Sequence, residues 1–231
     1  MQLFYQPELV NGTHHLDPDE SRHAVKVLRK TEGDEIQLID GLGTFYWAKI
    51  IDANQKKCTF EIIRTEKESV HHGFRHLAIA PTKNIDRIEW LVEKAVEIGI
   101  DRMSFLLCKN SERKVIKLDR LERKAISAMK QSLKASKPIL DELTSFSEFI
   151  LKEKADLKAL AYVDFDNPID LKDCIKKKQH TLVLIGPEGD FDSSEVDLAI
   201  NSGYQKVSLG HSRLRTETAG LAAVHLMNIF S

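Results

Sequence analysis

Leu182-Val183-Leu184-Ile185-Gly186-Pro187-Glu188-Gly189-Asp190-Phe191 is the stretch that decides the fold. Its apolar start has no polar alternation, as expected of a strand covered on both faces, which is the hallmark of a parallel sheet. Gly186 and Gly189 then let backbone approach a ligand closely, and Pro187 stiffens the turn. Asp192, with Glu195 three residues on, predicts a capped helix start. A second turn of this kind lies downstream. Leu209-Gly210-His211-Ser212-Arg213-Leu214-Arg215 follows a short strand candidate, Val207 to Leu209, and runs into a predicted helix, Thr216 to Ile229, with Thr216 as its cap. In open α/β sheets, ligands sit beyond the carboxyl ends of the strands, where both turns would lie.

Outward from these turns the strand–helix alternation continues back to His76. Strands are predicted at Leu77–Ala80, Met103–Cys108, Ala159–Val163 and Thr181–Ile185, and helices at Asn84–Ile98, Leu118–Leu133 and Ser145–Lys154. In the first helix, Ile85, Ile88, Leu91, Val92, Ala95 and Val96 recur at helical spacing and Gly99 stops it. Such alternation implies a parallel sheet with helices on both faces. Residues before about 66 have a different rhythm. Strands at Ile36–Ile39, Phe45–Ile51 and Cys58–Ile63 flank the hairpin signal Asp40-Gly41-Leu42-Gly43, with one helix at Asp19–Leu28. That pattern predicts a small β-barrel or compact sheet. The polar run Arg64–Arg75 is the candidate linker, and domains are expected at 1–68 and 74–231.

The 231 residues suffice for one large domain or two modest ones. No apolar run approaches the roughly 18 residues that cross a bilayer, and Met1–Val10 lacks the basic start of a signal peptide. Cys58, Cys108 and Cys174 make neither a disulfide framework nor a zinc signature, and fit a reducing cytoplasm. His14-His15 and His71-His72 lack ligand partners at helical spacing, so no metal is expected. Net charge is −1, yet Lys109–Lys137 carries ten basic residues against three acidic ones. Arg22, Lys26, Arg29 and Lys30 form a second acid-free group. Either these are solvated helix faces, or they attract phosphate locally, since screening confines the field to about 10 Å. No GxxxxGK[ST] loop and no GxGxxG after a strand is present, which disfavours a dinucleotide-dependent enzyme.

The two turns together, with RHAVKVLRKTEGDEIQLIDG at 22–41, KNIDRIEWLVEKAVEIG at 83–99, Asn110-Ser111-Glu112-Arg113 and Met129-Lys130-Gln131-Ser132, resemble the RsmE family of SPOUT methyltransferases over nearly the whole chain. These are 16S ribosomal RNA uridine-N3 methyltransferases. The resemblance implies an α/β fold: a SPOUT-type trefoil-knotted parallel sheet, preceded by a PUA-like RNA-binding β-barrel. It implies a cytoplasmic homodimer acting on 16S rRNA or the 30S subunit, with S-adenosylmethionine as methyl donor. Three departures stand out. Asp190 occupies a position where the family often has glycine, Ser212-Arg213 replaces Arg-Ile, and Lys134 stands where an arginine is common.

On this reading the cofactor would contact Val163, Gly186, Pro187, Gly189, Leu209, Gly210, Leu214, Thr218 and Ala219. Uridine N3 carries a proton and is a poor nucleophile until it leaves, so the site needs a base or a cation that holds the uracil anion. Arg215 is the candidate for that cation or for a phosphate clamp. Glu188 and Glu217 are the candidate carboxylates, although Glu217 in a first helical turn is also favoured by the helix dipole alone. RNA contacts are expected from Arg22, Arg29, Lys30, Arg113 and Arg213. Rivals are a related enzyme acting on ribose 2′-hydroxyls or tRNA, and a non-catalytic RNA-binding factor.

Overall fold

The computed structural model describes residues 2–69, 73–162 and 169–230. Its contacts divide the chain into two compact units, Met1–Val70 with Ile126–Lys137, and His71–Ala125 with Pro138–Ser231.

The first unit is a four-stranded sheet of β1 (Leu3–Tyr5), β2 (Glu35–Ile39), β3 (Thr44–Asp52) and β4 (Thr59–Lys67), in that order, with β1 parallel and the rest antiparallel. Tyr46, Ala48 and Ile50 alternate along β3 into a core with Phe4, Leu16, Leu38 and Phe60, as the two-residue period of a strand requires. Buried Asp40 builds the β2–β3 turn. Its Oδ1 accepts from the backbone of Leu42 (2.7 Å) and Thr44 (3.1 Å), while the Tyr46 hydroxyl donates to Oδ2 (3.1 Å). β4 runs through Arg64–Lys67 and β5 starts at Phe74, so half of the expected linker is strand and only 68–73 separates the two. The helix expected at Asp19–Leu28 is shorter and broken. α1 (Pro18–Arg22) is capped by Asp17 and continues into a π-helical turn, His23–Val27.

The second unit contains β5 (Phe74–Ile79), α2 (Ile85–Ile98), β6 (Arg102–Leu107), α3 (Leu118–Gln131) as far as Ala125, β7 (Ile139–Ser145), α4 (Phe146–Lys152), β8 (Leu157–Ala161), α5 (Leu171–Cys174), β9 (His180–Ile185), α6 (Ser193–Asn201), β10 (Gln205–Val207) and α7 (Thr216–Phe230). Its six strands are all parallel, in the order β10-β8-β9-β5-β6-β7. Asn84 caps α2, its side chain accepting from the Asp86 amide, and Gly99 ends the helix. Ala78, Ala80, Leu182 and Leu184 face α4 and α6 in one core. The opposite face carries Ile79, against which α7 packs beside Leu91 of α2 so closely that a Cβ on Gly220 would lie 3.0–3.1 Å from both side chains. Helices therefore cover both faces, as the alternation predicts. β7 has no expectation behind it: Ile139–Ser145 is an edge strand, half-exposed, and shows no apolar run. β10 ends two residues before the predicted limit.

A buried polar chain crosses the start of this sheet. The Ser104 hydroxyl donates to Asp141, which also receives Arg102 Nε at 2.7 Å. Having given that proton away, Ser104 can only accept from His76 Nε2 at 2.7 Å, which fixes the neutral Nε2–H tautomer and leaves buried Nδ1 without a hydrogen-bond partner among the described residues. Burial, with Arg102 and His180 adding to it, pushes the His76 pKa down from 6.5 to about 3. The unfolded chain takes this proton near 6.5 and the folded chain resists it, so stability falls as pH drops from about 6.5 towards 3. We expect a melting temperature that declines across this window, and a shallower decline in His76→Phe. An equal slope in both proteins would assign the acid sensitivity to other groups.

Candidate active site

Strand order places the carboxyl ends of β8, β9 and β5 side by side, with β10 next to β8. The β9–α6 and β10–α7 turns are thus separated by one strand, about 10 Å at ordinary strand spacing. Residue 163, and the rest of 163–168 after β8, lie outside the described residues, so Val163 has no described placement.

In the β9–α6 turn, Gly186 is required by space: a Cβ there would meet the Phe191 ring at 3.1 Å, and Phe191 is buried in the core. A Cβ on Gly189 would press on Asn110 at 3.3 Å, while Asn110 Nδ2 donates to the carbonyls of Gly189 (3.3 Å) and Asp190 (3.1 Å). Asp190 adopts φ +60, the left-handed conformation that glycine takes most easily and aspartate tolerates, so the departure from the family pattern keeps the turn. Its Oδ1 accepts from the Phe191 amide at 2.8 Å. Asp190→Gly should therefore leave the melting temperature level or raise stability by up to about 1 kcal/mol, with cofactor affinity unchanged; a clear drop in calorimetric affinity would make the aspartate side chain part of the site. The capping box of Asp192 and Glu195 is present. Glu188 is exposed and accepts from the Lys83 backbone amide at 3.0 Å, tying this turn to the one after β5.

The second turn is held by Ser208, whose hydroxyl accepts from the Gly210 amide at 3.0 Å. Gly210 has φ +112 with open space around its Cβ position, so conformation and not crowding demands glycine there. His211, Ser212, Arg213 and Arg215 are exposed, Leu209 and Leu214 half-buried. α7 starts at Thr216, and the Arg215 carbonyl accepts from the Ala219 amide at 2.8 Å. Arg215, not Thr216, thus holds the cap position, because the first helical hydrogen bond closes on its carbonyl. Glu217, two residues in, is 8% exposed. Its Oε1 lies 3.7 Å from Arg87 Nε, and its buried Oε2 has no hydrogen-bond partner among the described residues. Thr218 is exposed and Ala219 half-buried on the same first turn.

The arginines named for RNA divide. Arg213 is exposed, whereas Arg113 is occupied, donating to the carbonyls of Thr82 (Nε, 3.0 Å) and Lys83. Much of the basic segment is likewise neutralised within the protein: Lys109 by Asp192 (2.7 Å), Arg120 by Asp86 (3.3 Å) and Glu89, and Lys130 by Glu20. Arg22, Arg29 and Lys30 belong to the first unit. Arg87, Asn110 and the Lys83 amide were not legible as site groups. The first looks like an ordinary polar face of α2, and the others act through main chain of distant turns. A groove of about 690 Å³ between Lys114–Arg123 and Glu142–Leu143 contains none of the candidate residues. Among the described residues no cluster of His, Cys, Asp or Glu could hold a metal, and no helix is long and apolar enough to cross a membrane.

Comparison with known proteins agrees with this geometry. A family model described as an RNA methyltransferase domain matches residues 73–228, and one described as an RNA methyltransferase PUA domain matches 16–63. Among curated relatives, the ribosomal RNA small subunit methyltransferase E of Mesomycoplasma hyopneumoniae is 29% identical over 77% of this chain and 78% of its own length. The Aquifex aeolicus protein of the same name is 24% identical over the full length of both. Of solved structures, a probable rRNA-methyltransferase from Porphyromonas gingivalis superposes with TM-score 0.93 at 43% identity, covering 99% of each chain. A ribosomal RNA small subunit methyltransferase E from Neisseria gonorrhoeae, bound to S-adenosyl methionine, gives TM-score 0.85 at 26% identity, covering 98% of this chain and 96% of that one. With both units and the strand-end turns accounted for along the whole sequence, the chain belongs to the RsmE family of RNA methyltransferases.

Proposed function

We propose that this chain methylates N3 of one uridine in the 16S rRNA of the small ribosomal subunit, using S-adenosylmethionine. The observation that carries the reading is the β10–α7 turn. It combines a glycine at φ +112, an exposed arginine, and a carboxylate whose buried Oε2 has no hydrogen-bond partner among the described residues. A buried unsatisfied oxygen is costly to keep, of order 1–3 kcal/mol, and such groups concentrate where a ligand completes them. The turns suit a flat, mostly apolar ligand: Gly186, Pro187, Gly189, Leu209, Gly210, Leu214, Thr218 and Ala219 offer backbone and small side chains. When bound, S-adenosylmethionine supplies a methyl group activated by a positively charged sulfur.

The protein's own residues then have two tasks. One is positioning, which dominates an in-line displacement. The other is to deal with the N3 proton and the anion left behind. Arg215, exposed and without an ion pair among the described residues, stabilises that anion or clamps a neighbouring phosphate. Of the two carboxylates, Glu217 keeps a buried Oε2 with no hydrogen-bond partner among the described residues, whereas Glu188 is exposed and accepts the Lys83 amide through Oε1. Residues 1–68 serve as the RNA-binding module and 74–231 as the catalytic one, with a knotted C-terminal tail. The active form is a cytoplasmic homodimer; exposed Arg22, Arg29 and Arg213 contribute RNA contacts, whereas Arg113 and Lys30 are engaged by backbone carbonyls of the protein.

The test is transfer of labelled methyl from S-adenosylmethionine to purified 30S particles and to free 16S rRNA, followed by mass spectrometry of the nucleosides. N3-methyluridine at one site is the expected product. A 2′-O-methyl product, or label only in tRNA, would replace this substrate with another. Absence of both transfer and cofactor binding would remove the enzymatic reading.

A further inference from the structure

Leucine and valine side chains on a short amphipathic helix are normally turned inward, yet Val27 is 64% and Leu28 36% exposed. The cause is local. Ser21 and Ala24 are fully buried, and in a regular α-helix residue 28 would fall on the same face, seven and four positions on. The π-helical turn at His23–Val27, closed by the Leu28 amide on the His23 carbonyl at 3.0 Å, inserts an extra residue and rotates that position outward by about 100°. The turn then stops on a left-handed residue, with the Lys30 amide donating to the Ala24 carbonyl at 3.0 Å. Glycine is the usual occupant of such a stop, but here it is Arg29 at φ +54.

Arg22, Lys26 and Arg29 flank the two apolar residues along this helical segment and its stop. All three are exposed, and none makes an ion pair among the described residues. Lys30 is different, since its Nζ donates to the Glu35 carbonyl at 3.0 Å. We propose that Val27 and Leu28 form an apolar wedge that packs against unpaired RNA bases, while Arg22, Lys26 and Arg29 hold the flanking phosphates. A single strand is the ligand that presents both chemistries at once: phosphates every nucleotide, and base faces free to stack on an apolar surface. A duplex offers the phosphates but keeps its base faces covered. A protein partner would call for carboxylates against the cations and a broader apolar area than two side chains. The wedge extends the RNA-methyltransferase reading above and rests on it.

The test uses the full chain and its Val27→Ser/Leu28→Ser variant, with two fluorescent RNAs of equal length, a hairpin with an unpaired loop and a full duplex, each titrated over a salt series. The wild type is expected to prefer the hairpin. The double variant should lose about tenfold on the hairpin, within the range for losing one stacked base. It should keep its duplex affinity, salt slope, melting temperature and S-adenosylmethionine affinity. Arg29→Ala should instead weaken both RNAs and lower the salt slope by about one. Equal loss on both RNAs in the double variant, no loss, or a wild type without preference overturns the wedge. So does a variant that changes only from dimer to monomer in sedimentation, which would give the patch to a second copy of the chain. Loop-selective binding through the patch without methyl transfer to 30S particles would keep the wedge and remove the proposed reaction. Full methylation with unaffected hairpin affinity would do the reverse.

Discussion

Arg215→Ala should lower the turnover of methyl transfer by about a hundredfold to a thousandfold while the protein folds and binds S-adenosylmethionine as before. The size follows from the role. A preorganised cation or donor facing charge that develops only in the transition state contributes about 2.7–4 kcal/mol. The selectivity follows from the structure. Arg215 is exposed, forms no ion pair among the described residues, and caps α7 through its carbonyl, which alanine retains. Surface replacements of that kind usually change stability by less than about 0.5 kcal/mol. Its two candidate roles separate kinetically. Loss of anion stabilisation lowers kcat at saturating RNA, whereas loss of a phosphate clamp raises KM for RNA and leaves kcat near normal. Arg215→Lys, which keeps the charge but not the planar fork, should restore part of the rate in either case. A variant with alanine that methylates within a few-fold of wild type would remove Arg215 from the mechanism.

Gly210→Val is expected to reduce S-adenosylmethionine affinity beyond calorimetric detection, at least about a hundredfold, with the fold preserved. At φ +112 no L-residue is comfortable and a β-branched one least of all. The strain must be relieved by moving the turn that carries Leu209 and Leu214. The protein survives because nothing lies within 4 Å of the new Cβ, so no core contact is disturbed. Gly186→Val makes an instructive contrast. There the added group strikes the buried Phe191 ring, so loss of binding would come with a lower melting temperature. Unchanged affinity in Gly210→Val would mean that the cofactor is held elsewhere than the β10–α7 turn.

The clearest local signals in the sequence were those written in consecutive residues. The unbroken apolar run at 182–185 required a strand covered on both faces, and β9 lies between two parallel neighbours. Asp192 with Glu195 specified a capping box, and Asn84 with Gly99 bracketed α2. Signals failed where the deciding contact was remote or the pattern was diluted by solvent. β7 is an edge strand and needs little apolar character, so Ile139–Ser145 gave no run to read. The helix expected through Leu28 followed a sound periodicity, but a π-turn shifted it by one residue, and no local propensity announces such a turn.

The site shows the same division. Sequence alone determined that two glycine-bearing turns follow strands of a parallel sheet, since glycine, proline and capping residues act on their own neighbours. Only the tertiary structure decided which glycine is held by crowding and which by its dihedral angle. It also decided that Asp190 can stand in for glycine, that Arg113 spends its guanidinium on the carbonyls of Thr82 and Lys83, and that Glu217 keeps one buried oxygen without a hydrogen-bond partner among the described residues while exposed Glu188 accepts the Lys83 amide. Those outcomes depend on atoms brought together from far apart in the chain. Whether a charged side chain is left free for a ligand is settled by what packs around it, and a linear pattern carries no measure of that.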